Sequence, residues 1–148
     1  MNTGLADKPS RTFKIRFTER IYRLHAGGVT NHAPRGAGIF ELVEFPPGAE
    51  DGKVLYIGHI TAGGSIADIL LSIIEGRAGL PEEKLKAVQE RMANLYFDAV
   101  LEADCASEAD WRDLAWALVQ AKTPALNDPK AQPHSDRFSD ISFEDLSA

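Results

Sequence analysis

Cysteine occurs once in the 148 residues, at Cys105. That single thiol excludes an internal disulfide and any zinc cluster built on cysteines. No apolar run approaches the roughly 18 residues of a membrane span. The longest, Ile66 to Ile74, is interrupted by Asp68 and Ser72. The first ten residues lack the basic start and apolar stretch of a secretory leader. A cytoplasmic protein without membrane contact is expected. His25, His32, His59 and His134 show no ligand spacing, so neither metal nor cofactor is expected. Gly27-Gly28 and Gly63-Gly64 lack the Lys-Ser/Thr of a phosphate loop and the three-glycine dinucleotide pattern.

Basic charge is scarce beyond residue 38. Residues 1–38 carry Lys8, Arg11, Lys14, Arg16, Arg20, Arg23 and Arg35 against two acids, about +5 of formal charge. The remainder carries about -11, giving the net -6. Nucleic-acid binders draw affinity from neutralised phosphates. Only the first quarter, through Arg16, Arg20 and Arg23, offers a basic face for that purpose. A solvated strand or helix face accounts for the same charges. Nucleic acid is therefore the disfavoured partner and protein the favoured one.

The apolar fraction of 44 % suits one globular domain with its own core. Residues 1–10 read as a flexible terminus and 11–128 as the domain. Arg11 to Phe17 alternates polar and apolar residues, as a half-buried strand does. Thr18 to His25 fits either a short helix or a continued strand, and 26–37 reads as a loop. Two strand-like runs follow, Gly38-Ile39-Phe40-Glu41-Leu42-Val43-Glu44-Phe45 and Val54-Leu55-Tyr56-Ile57-Gly58, joined by a Pro- and Gly-rich turn. Ser65 caps an apolar helix over 66–75, Pro81 opens a second, 93–102 reads as a third strand, and Ser107 caps a third helix ending at Pro124. Residues 129–148 read as a flexible or partner-docked tail, in which Phe138, Ile141, Phe143 and Leu146 recur among acids.

The GIF and YIG segments, the helix after them, the later strand and helix, and the close Thr123-Pro124-Ala125-Leu126-Asn127 together resemble a GIY-YIG domain over about residues 36–128. The resemblance implies an α/β (α+β) fold with a small antiparallel three-stranded central sheet flanked by helices. An N-terminal strand or helix would be added to it. In that family two motif tyrosines and a helix arginine surround a scissile phosphate, and a glutamate holds a divalent metal. A phenol moves protons, a guanidinium stabilises developing charge and a carboxylate suits a hard cation.

This chain departs from that set. Phe40 replaces the first tyrosine, while Tyr56 keeps the second. The expected arginine falls near Ala67 to Leu70, with Ile69 the nearest match, and the expected glutamate falls near Ala115. Tyr56, His59 and Arg77 remain as candidate catalytic groups for a divergent nuclease. Each also suits a packing or surface role, as does Asp113. The leading expectation is a non-catalytic accessory module acting through protein contacts.

Overall fold

A computed structural model of the chain describes residues 8–147, so residues 1–7 of the expected flexible terminus lie outside it. Its strands are β1 (Ser10–Phe17), β2 (Tyr22–Arg23), β3 (Gly38–Glu44), β4 (Lys53–Ile60), β5 (Leu95–Ala103) and β6 (Asp140–Asp145). Its helices are α1 (Ala26–His32), α2 (Ile66–Ile74), α3 (Glu82–Glu90) and α4 (Glu108–Lys122). No described helix is long and apolar enough to cross a membrane.

The expected three-stranded antiparallel sheet is corrected to a six-stranded mixed sheet, curled into a half-barrel. Its order is β4-β3-β5-β1-β6, with β2 also on β5. The three strands anticipated from the sequence do lie together, antiparallel, as β4-β3-β5. What enlarges the sheet is the second flank of β5. There β1 pairs with the Val100–Ala103 end and β2 with Tyr96 and Phe97. The short excursion between them remains tied, because Thr18 N–H donates to the Ala99 carbonyl at 2.8 Å. Pairing over some 80 positions of sequence leaves no local mark on either partner.

Period-two alternation assigns the two faces. Phe40, Leu42, Phe97 and Ala99 enter one apolar cluster with Ile66, Leu70 and Ile73 of α2 and Val88 of α3. Phe13, Ile15, Phe17, Ile39 and Ile57 enter the other, with Leu114, Ala115 and Leu118 of α4. Each fully buried aliphatic contributes about 1.5–3 kcal/mol. Ser65 caps α2 by accepting the Asp68 N–H at 3.3 Å, and Ser107 caps α4 by accepting the Asp110 N–H at 3.2 Å.

The loop expected over 26–37 contains α1 instead. His25 supplies its cap, with Nδ1 accepting the Gly28 N–H at 3.2 Å. Gly28 is required by contact, since a Cβ there would run into the Arg23 carbonyl. Burial of Val29 and Leu24 against the sheet outweighs the poor helix propensity of two glycines.

The C-terminal segment read as flexible or partner-docked lies on the domain itself. β6 runs parallel to β1, Ser10 to Ile15 opposite Asp140 to Asp145. Ile141 and Phe143 pack onto the α4-side cluster. A polar clasp holds the approach to β6. Asp113, fully buried on α4, accepts the Ser135 N–H at 2.7 Å, the Ser135 hydroxyl at 2.6 Å and Arg137 Nη2 at 2.8 Å. Arg137 Nη2 also reaches Asp110 at 2.7 Å. Burial alone would raise both carboxyls, but these donors, with the Ala106 N–H on Asp110, hold them below the usual carboxylate range.

Candidate functional site

β4 is an edge strand, and its outer rim is closed by a side chain. Asn127 Oδ1 accepts the Ile57 N–H at 2.8 Å and its Nδ2 donates to the Ile57 carbonyl at 3.0 Å. Leu126 N–H donates to the Leu55 carbonyl at 2.9 Å. The amide thus completes the ladder that an unpaired edge would leave open. Around this rim opens a cleft of about 440 Å³, lined by Tyr56, His59, Thr61, Lys84, Arg112 and Asn127 among others.

The cleft joins groups from both faces of the sheet. Tyr56 packs with the α2-side cluster, and its ring lies 6.1 Å from that of Phe40 and 5.7 Å from Lys84 Nζ. Burial pushes its hydroxyl up, so it is a donor and not a phenolate at neutral pH. The Phe40 ring occupies the space over Gly58, where a Cβ would collide with it. Gly58→Val is expected to lower stability by about 2 kcal/mol through overpacking, measured by urea denaturation.

His59 faces α4. Its Nε2 stands 3.6 Å from Glu108 Oε2, and both atoms are buried without a hydrogen-bond partner among the described residues. Burial lowers the imidazole's affinity for a proton, Glu108 works against this and Arg112 reinforces it. The net direction leaves His59 neutral at neutral pH. Glu108 Oε1 accepts the Ala62 N–H at 3.2 Å, which ties the glycine-rich loop to the start of α4.

The remaining candidates lie elsewhere. Arg77 follows the end of α2, exposed and paired with Glu75 at 2.6 Å, and does not line the cleft. Arg16 donates to the Leu146 carbonyl at 2.9 Å, whereas the Arg23 guanidinium stacks 5.5 Å from the Tyr96 ring. Their strand partners, Glu102 and Tyr96, are about 20 Å apart along β5. Arg20 is exposed in the connection between β1 and β2. The basic quarter is thus dispersed along the sheet. In the tail, Phe138 lies under the Arg137 guanidinium at 4.8 Å, Ile141 and Phe143 face the core, and Leu146 is 38 % exposed.

Sequence reasoning passed over Lys84 and Arg112, which look like ordinary solvated helix charges until two helices bring them to one cleft. It also passed over a second cluster. Glu41 on β3 and Asp98 on β5 are cross-strand partners, 2 % and 9 % exposed. Lys122 from the end of α4 reaches Glu41 Oε2 at 2.7 Å and lies over the Phe17 ring at 4.4 Å. Burial, then Glu41, push the Asp98 carboxyl up to about 8, with Lys122 opposing. Among the described residues, Asp98 Oδ1 is buried without a hydrogen-bond partner. The legible signal was an acid at the inward phase of an apolar strand, Ile39-Phe40-Glu41-Leu42-Val43.

No family model, curated protein or solved structure matches the chain.

Proposed function

We propose that this chain is a GIY-YIG-like module that binds without cutting, an accessory protein acting through protein–protein contacts. One observation carries the reading: the elements around Tyr56 are committed to packing where cleavage would need charge. On α2, Ile69, the nearest match to the expected arginine, is half-buried against the α2-side cluster, and its neighbours Ala67 and Leu70 are buried. On α4, Ala115 is 1 % exposed inside the other cluster. An arginine or glutamate placed at these positions would enter an apolar core and carry a large desolvation penalty. Phe40, packed over Gly58, has no hydroxyl to bring to the cleft.

The acidic body favours a protein over a nucleic acid as the partner. Purified chain with magnesium or manganese is expected to leave single- and double-stranded DNA and RNA intact. A tagged chain is expected to retain a protein from native extract at high salt. Metal-dependent cutting that Tyr56→Phe abolishes would overturn the reading.

A further inference from the structure

We propose that the cleft on the β4 edge binds a phosphate monoester, held between Lys84 of α3 and Arg112 of α4 with His59 beside it. This goes beyond the loss of cleavage chemistry and stands or falls separately from it. Two cations from different helices line one concavity together with Tyr56 and Thr61. Among the described residues neither Lys84 nor Arg112 has an ion-pair partner within 4.0 Å. The nearby carboxylates are engaged by backbone donors. Asp128 Oδ1 accepts the Lys130 N–H at 3.0 Å, and Glu108 Oε1 accepts that of Ala62.

The donor set selects the ligand class. A carboxylate uses one fork of donors, whereas a dianionic phosphate presents three oxygens and a double charge to groups arriving from separate directions. The volume of about 440 Å³ leaves room for the body of the ester beyond the phosphate itself.

Among the described residues, His59 Nε2 and Glu108 Oε2 lie buried 3.6 Å apart with no hydrogen bond, so a proton taken up by the ring has an acceptor in reach. The charges facing His59 are Glu108 and Arg112 from α4, with Lys84 from α3 and Asp128 from the segment after α4 also lining the cleft or its rim. A dianion against this ring favours the imidazolium, whose new proton would then bridge to Glu108. Binding is therefore expected to be coupled to proton uptake at His59.

The test uses the full chain, with inorganic phosphate, phosphoserine and AMP as probes in calorimetric titrations. Saturable binding is expected, weakened about tenfold by Lys84→Gln or Arg112→Gln and unchanged by Lys86→Gln on the exposed side of α3. In proton NMR the His59 ring titration is expected to move to higher pH when the probe is bound. A preference for phosphoserine would make a modified protein the source of the group, and a preference for AMP a nucleotide; either supports the site. Absence of saturable binding at millimolar probe overturns it. So does binding that survives both substitutions, or binding of a single-stranded oligonucleotide with none of any monoester.

Discussion

Stability against urea is expected to fall by about 1 kcal/mol for each pH unit between about 6.5 and 8, and to level off above. The cause is Asp98, whose carboxyl is pushed up to about 8 by burial and by Glu41 across the strand. In this window the folded chain keeps a proton that the unfolded chain has released. Raising the pH therefore favours unfolding, until the folded carboxyl also ionises. Below pH 6.5 the slope is offset, because the unfolded chain protonates His59 while the folded one, with its imidazole lowered, does not. Asp110 and Asp113 act only in stronger acid: both are depressed, so their contribution is lost as pH falls below about 3.8. Asp98→Asn keeps the shape and a donor for Glu41 without the titration. It is expected to flatten the profile between 6.5 and 8, and an unchanged slope in that variant would remove Asp98 as the cause.

Asp113→Ala is expected to cost about 3 kcal/mol and to release β6. Three charge-assisted hydrogen bonds converge on this buried carboxylate, two from Ser135 and one from Arg137. Their loss leaves the Ser135 N–H without its acceptor and frees Arg137 from α4. Hydrogen exchange should then show lost protection over Asp140–Asp145 while β3 and β5 remain protected. Truncation after residue 128 exposes the β1 edge and the apolar face that Ile141 and Phe143 cover. In the truncated chain the further cost of Asp113→Ala should shrink, because the partners of the carboxylate are already gone. Equal costs in both backgrounds would mean that the clasp does not hold the strand.

These two effects arise from residues that looked ordinary in sequence. Asp113 sits on a helix beside Arg112, as many solvated acids do, and only the return of the chain at Ser135 and Arg137 makes it buried and essential to packing. Cys105 is partly buried against the α4-side cluster, where burial and then the nearby Asp110 and Asp104 push its thiol up to about 12. Tyr56 and His59, candidates by their place around the YIG segment, line one cleft. Arg77 does not join them. Gly76, with φ of +72°, turns the chain at the end of α2, and Arg77 ends against Glu75 in solvent.

Most local elements, α1 and β2 excepted, are encoded by neighbouring residues. The alternation of Phe13, Ile15 and Phe17, the caps Ser65 and Ser107, and the apolar spacing of α2 each follow from interactions within a few residues of each other. The three strands that carry the GIF and YIG segments and their later neighbour were legible for the same reason. The rest arises only when distant segments meet. The second flank of β5, the parallel seat of β6 and the meeting of Lys84 with Arg112 depend on contacts between distant segments, and such pairing energy belongs to neither segment alone.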